Sequence, residues 1–247
     1  MPEDSRVLLV AVVVGGAAAL KGAVGFGFPL VAVPLLSSLL GPRTAVPVIA
    51  IPTLLSNIIM VSRGGASQKF SAMLPLFVGV VVGTLTGALL IKSLDPRRLG
   101  VLVGSVTLLY VVASISRLTL RIRPAAGFRA APAVGILAGV IGGSTGIFAP
   151  PLASYLHLLG MEKRDFVFWI TLLFFVGNMV QVGSYFHLGL YTGSVLRLSL
   201  LACLPMALGT WLGLSLQDRL SSGLFSRIVL VVVGLASLNV LAQAILH

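Results

Sequence analysis

The sequence predicts an all-α polytopic membrane protein. Composition is the first reason. Of 247 residues, 57% are hydrophobic and only 9% charged, and the mean hydropathy is +1.10. Soluble domains carry about 25% charged residues, so this chain cannot cover a core with polar surface and needs lipid as part of its solvent. Arrangement is the second reason. Apolar residues fall into runs at 7–20, 28–40, 44–62, 71–91, 99–116, 131–143, 147–159, 166–186, 194–216 and 224–246, parted by charges or turn residues. The third is the lopsided charge, 17 Lys+Arg against 6 Asp+Glu. In a membrane protein that surplus reports orientation, because cytoplasmic loops collect Lys and Arg.

Taken in order, the first run (7–20) follows a lead, MPEDSR, that mixes acid and base. A secretory signal has a basic lead and a small-residue cleavage site, so this run reads as part of the membrane domain. It ends at Lys21 and a glycine-rich break, Gly22-Ala23-Val24-Gly25-Phe26-Gly27. The run 28–40 is also short. At 1.5 Å per residue, such runs reach roughly 20 Å, less than the hydrocarbon core of about 30 Å. The runs 44–62, 71–91 and 99–116 are near or above spanning length. A basic stretch follows, from Arg117 to Arg129, with Pro124 and Gly127 in it. Then the pattern repeats: short runs 131–143 and 147–159 about the break Gly142-Gly143-Ser144-Thr145-Gly146, and three long runs.

Two halves are therefore expected, 1–116 and 131–247, joined by a basic cytoplasmic linker, 117–130. Each half would be a broken-helix hairpin, re-entrant or fully crossing, followed by three transmembrane helices. Echoes support the duplication. Gly27…Leu40-Gly41 and Gly146…Leu159-Gly160 keep one spacing, and Asn57 and Asn178 sit in matching spans. Gly83-Thr84-x-x-Gly87 answers Gly209-Thr210-x-x-Gly213.

Charge tests the hairpins. If each hairpin leaves on the side it entered, Arg63, Lys69, Arg117, Arg121, Arg123, Arg129, Lys163, Arg164, Arg197, Arg219 and Arg227 share one face. Arg6, Arg43, Lys92, Arg97 and Arg98 share the other. Eleven against five is the bias expected of a cytoplasmic face. Single crossings would split the charges almost evenly. Both termini then lie outside the cytoplasm, and the second half starts on the opposite face from the first. Inverted repeats of this kind build many secondary transporters.

The two breaks carry the chemistry. Irregular backbone at membrane depth is tolerated only where protein or a watery cavity satisfies it. Its exposed N–H groups at half-helix N-termini favour anions. Gly22, Gly25, Phe26 and Gly27 form one wall of such a site, and Gly142, Gly143, Ser144, Thr145 and Gly146 the other. The competing reading is close helix packing through small residues, with the hydroxyls of Ser144 and Thr145 capping a turn. Lys21 would balance substrate charge if held at depth, or snorkel if not. Asn57, Asn178 and Gln181 are amides able to line the cavity or to bond helix to helix. His157 is a candidate proton relay.

No carboxylate falls inside an apolar run, so acid–base catalysis has no buried pair, and no metal-ligand motif is present. The chain does not read as an enzyme. The single Cys203 makes no intrachain disulfide. No cofactor is expected. Any coupling to protons or sodium would use loop acids, His157, backbone carbonyls or the anion itself.

The stretch from Gly22 to Leu36, G-x-x-G-F-G-x-P-L-V-A-V-P-L-L, resembles the first signature of the TauE/SafE sulfite exporter family. Gly142 to Leu152, G-G-S-T-G-I-F-A-P-P-L, resembles its second, and the two-half layout extends the resemblance over nearly the whole chain. Phe28 and Ala149 depart from the pattern, standing where glycine is common. The resemblance implies a bacterial inner-membrane transporter, usually an exporter, of small sulfur-containing anions such as sulfite, sulfoacetate or other organosulfonates. The alternatives are an uncoupled anion channel or facilitator and a non-transport membrane assembly subunit.

Overall fold

Each apolar run becomes a helix. The computed structural model describes residues 3–24, 27–61, 70–116, 124–216 and 222–246. The helices are α1 (Glu3–Val24), α2 (Phe28–Leu40), α3 (Pro42–Val61), α4 (Phe70–Ser93), α5 (Pro96–Ile115), α6 (Pro124–Thr145), α7 (Ala149–Leu158), α8 (Lys163–His187), α9 (Gly193–Leu216) and α10 (Ser222–Leu246). Among the described residues six helices are long and apolar enough to cross a membrane: α1, α3, α4, α5, α8 and α9. The chain is thus a multi-pass, all-helical membrane protein. Its outward faces carry exposed Leu109, Leu204 and Trp211, as lipid contact requires.

Two boundaries differ from the sequence reading. The first run was counted short because Lys21 ends its apolar residues. The helix instead continues through Lys21 to Val24, and α1 has 22 residues. Likewise α6 has 22 residues and begins at Pro124, inside the stretch assigned to the linker. Only the second member of each hairpin is short: α2 has 13 residues and α7 has 10. Asp165, just ahead of the apolar run 166–186, lies in the first turn of α8 and is buried.

The repeated glycines have a physical cause. Gly27, Gly41, Gly146 and Gly160 all adopt positive φ, at 102°, 77°, 77° and 66°, a region that side chains with a Cβ avoid. The Gly-Thr-x-x-Gly echoes are seams. Gly83 and Gly87 of α4 lie on the backbone of Ile136 and Val140 in α6. Gly209 and Gly213 of α9 lie on Gly15 and Ala19 of α1. Residue numbers rise together along both seams, so α4 runs parallel to α6 and α9 parallel to α1. Small residues let these backbones touch, which is how helices gain packing where lipid removes the hydrophobic drive.

An internal proline leaves a carbonyl without its helical donor, and in α3 the fold supplies a replacement. Pro52 of α3 frees the carbonyl of Val48. The buried Ser199 hydroxyl of α9 donates to it at 2.8 Å.

One end of the bundle gathers both chain ends. Arg97, at the start of α5, donates to the carbonyls of Ala244 and Ile245 near the end of α10, at 3.3 and 3.4 Å. Arg43 donates to the carbonyls of Lys92 and Leu94 at the end of α4. Cations at helix C-termini complement the helix dipole. Arg6 lines one surface cavity with Arg43, Lys92, Val195 and Leu198. Arg197 sits between the last two on α9 and so belongs to this end, not to the cation-rich face. On the sequence count alone, moving it makes the division ten against six. Asp95 caps α5, accepting from the Arg98 backbone N–H at 2.9 Å. That bond holds its carboxyl below the ordinary value of 3.8.

Candidate anion site

Both breaks meet at one cavity. Its walls are Lys21 of α1, Gly27, Pro29 and Leu30 at the first break, and Gly146, Ile147, Phe148 and Ala149 at the second. Thr53, Asn57 and Met60 of α3 and Thr171, Phe174 and Asn178 of α8 close it. The open space is about 20 Å³. A single water needs about 10–15 Å³ by this measure, so the site as folded holds one or two water-sized groups.

Lys21 is only 4% exposed. Its position is set by α1, which carries it in its last turn, where the dipole favours a cation. The ammonium donates to Asn57 Oδ1 at 3.0 Å. Asn57 Nδ2 donates to Asn178 Oδ1 at 2.7 Å, and Asn178 Nδ2 to Gln181 Oε1 at 2.9 Å. Gln181 Nε2 donates onward to the carbonyl of Gly142 at 2.9 Å and to the Tyr185 hydroxyl at 2.8 Å. Tyr185 finally donates to the carbonyl of Gly143 at 2.6 Å. This is a directed chain. An ammonium can only donate, so each amide must turn its oxygen toward Lys21 and its nitrogen toward the second break. Asn57 and Asn178 each spend one of two amide protons on the chain.

Among the described residues, no acidic one lines the cavity. Burying an ammonium costs several kcal/mol, and a neutral amide offsets only part of that. The cavity is electrostatically prepared for a negative charge. Donors come from Lys21, the two asparagines and the first N–H groups of α2 and α7. Proline thins the last set: Pro29 removes one donor from α2, and Pro150 and Pro151 remove two from α7.

The sequence candidates divide accordingly. Lys21, Gly27, Asn57, Gly146 and Asn178 line the cavity. Gln181 stands one bond behind it, holding Asn178. Gly22 is packed against the backbone of Thr210 and Leu214 in α9, and Gly143 against Thr84 in α4. Gly142 faces the ring of Phe148. The hydroxyls of Ser144 and Thr145 turn back on their own helix, donating at 2.7 Å to the carbonyls of Val140 and Ile141. Thr145 Oγ1 also accepts from the Ile147 N–H at 3.2 Å, so it closes the turn. Gly25 and Phe26 lie outside the described residues. His157 is exposed in the last turn of α7 and does not line the cavity. Among the described residues there is no cluster of potential metal ligands.

Sequence reasoning missed Thr53, Met60, Phe148, Thr171, Phe174 and Tyr185. A signal existed for some. Thr171, Asn178, Gln181 and Tyr185 fall at helical spacing on one stripe of α8, as do Thr53 and Asn57 on α3.

A helical, multi-pass membrane protein with a buried cationic cavity between two backbone breaks has the form of an anion carrier. A family model described as Sulfite exporter TauE/SafE matches residues 8–240. The chain belongs to the TauE/SafE sulfite exporter family, a family of membrane transporters for small anions. Comparison with curated proteins and with solved structures returns no match.

Proposed function

We propose that the chain is a secondary transporter exporting small sulfur-containing anions, such as sulfite, sulfoacetate or other organosulfonates, across the bacterial inner membrane by alternating access. One observation carries the reading: a buried ammonium faces a cavity that has donors and, among the described residues, no carboxylate. A bound oxyanion would supply the missing charge, held by Lys21, Asn57, Asn178 and the N-terminal turns of α2 and α7.

The small volume supports alternating access, because a sulfonate enters only if the walls part. We read residues 1–116 and 131–247 as inverted repeats. The contacts favour this: α5 begins where α10 ends, and α3 begins where α8 ends. The parallel seams of α1 with α9 and α4 with α6 would let one half rock against the other. The end holding both termini faces outward, since fewer cations lie there. Coupling to a proton or sodium gradient is part of the proposal.

The test is radiolabelled sulfite flux in proteoliposomes with Lys21→Met, which keeps the length and removes the charge. Losing a buried, hydrogen-bonded charge contact costs about 3 kcal/mol, about a hundredfold in affinity. Flux should collapse while the protein inserts and melts normally. Wild-type flux in Lys21→Met sinks the site. Flux indifferent to imposed gradients would make the protein a facilitator.

A further inference from the structure

A second cavity opens at the end of the bundle that carries both termini. It measures about 670 Å³ and shares no lining residue with the Lys21 site. Arg6 of α1, Arg43 of α3 and Lys92 of α4 line it, with Thr44, Thr192 and Ser194. The Thr192 and Ser194 hydroxyls bond each other at 3.3 Å, and Thr192 Oγ1 accepts from the Val195 N–H at 3.5 Å. Among the described residues, none that lines the cavity is acidic. Arg43 is held in place by one nitrogen, Nη2, which donates to the carbonyls of Lys92 and Leu94 at 2.7 and 3.1 Å. Its other guanidinium donors remain for a ligand. The wall also contains the start of α9, a helix of 24 residues whose first turn adds partial positive charge.

Three cations on one cavity, with no acid among its described lining residues, repel one another and draw an anion. Their donors, together with hydroxyls and a helix N-terminus, match a group with several equivalent oxygens. We propose that this cavity binds an oxyanion group, presented either by a free sulfate-like anion or by the phosphate of an anionic lipid headgroup. The site is independent of the reading of the Lys21 cavity. Its mixed wall suits both sources, since Leu39, Leu40 and Leu198 continue it as apolar surface on which carbon chains can lie.

The probes are inorganic sulfate and phosphatidylglycerol, and the protein is the full chain carrying Lys21→Met, so that this cavity alone is read. Sulfate is titrated calorimetrically into delipidated protein in neutral detergent. Lipid retention is read by native mass spectrometry after extraction from phosphatidylglycerol and from phosphatidylcholine nanodiscs. Saturable sulfate binding, weakened by added salt, identifies the free anion. Selective retention of phosphatidylglycerol identifies the headgroup. In either case Arg6→Gln with Lys92→Gln should weaken binding about tenfold or more. Arg98→Gln, which removes the partner of Asp95 outside the cavity, should leave it unchanged. If the double variant melts early, Arg6→Gln alone replaces it with the same direction of change. Binding of neither probe, or binding that these variants leave intact, overturns the proposal.

Discussion

Phe148 offers the sharpest structural test, because its ring is wedged between two helices that lack side chains there. A Cβ on Gly177 of α8 would lie 2.7 Å from Phe148 Cε1, 3.1 Å from Cζ and 3.2 Å from Cδ1. Carbon contacts settle at about 3.5–4.0 Å, so Gly177→Ala pushes the ring edge back by roughly 0.8 Å. A Cβ on Gly142 of α6 would fall still closer, against Cγ, Cδ1 and Cε1 of the same ring. Gly142→Ala therefore demands more than about 1 Å of retreat. The ring cannot move between α6 and α8, since both crowd the same edge. Its remaining freedom is toward the cavity that it lines, and that space is only about 20 Å³. Gly to Ala in a helix gains about 1 kcal/mol, and overpacking costs about 1–3 kcal/mol. Melting should thus change little for Gly177→Ala and fall for Gly142→Ala, while sulfite binding and flux drop in the same order. Phe148→Leu added to Gly142→Ala should recover part of both, with a coupling of about 0.5–3 kcal/mol. Normal melting and flux in Gly142→Ala, or no recovery in the double variant, would refute the wedge.

Tyr185→Phe removes the donor to the Gly143 carbonyl and one acceptor of Gln181. Leaving a buried carbonyl unpaired costs about 1–3 kcal/mol, so the melting temperature in detergent should fall. An unchanged midpoint means that the chain does not secure the second break. Gly22→Ala places a Cβ 2.5 Å from the Thr210 carbonyl oxygen and 2.8 Å from the Leu214 nitrogen. Backbone cannot rotate away, so α1 should part from α9 and stability fall by at least the 1–3 kcal/mol of ordinary overpacking, about. Gly16→Ala on the same helix, with nothing within 4 Å, should instead stabilise by up to about 1 kcal/mol. Equal melting of the two variants would dismiss the seam.

The ten helices of the described residues were legible in the apolar runs because lipid leaves few other options: spanning backbone must be helical and its side chains apolar. The ends of α1 and α6 were not, because apolar counting stops at the first charge. Lys21 is buried within its helix, and no local pattern separates a buried lysine from one that snorkels. The same ambiguity hid half of the glycines. Gly27 and Gly146 are at the breaks by conformation, whereas Gly22 and Gly143 serve seams with α9 and α4. The sequence Gly-Gly-Ser-Thr-Gly reads alike for both duties. Ser144 and Thr145 leave two readings open, anion ligand or turn cap, for a third reason. A hydroxyl in a helix can always turn to its own carbonyl four residues back, and only the packing says whether it does.

Asn57 and Asn178 were found because an amide inside lipid-facing sequence must have a partner, yet their orientation was beyond sequence reasoning. An amide alone can be turned either way. Lys21 decides the matter at one end, since it accepts nothing, and the Gly142 and Gly143 carbonyls decide it at the other, since they donate nothing. Each asparagine is therefore locked with one N–H engaged in the chain and one left over. Lys21 thus contributes to the site twice, by its charge and by fixing which way two neutral groups point. A methionine there removes both effects: Asn57 Oδ1 loses its donor, and the amide is then held from one side only, by its bond to Asn178 Oδ1. The variant should therefore weaken anion binding by more than adding salt does in the wild type, because salt screens a charge and leaves an amide where it was.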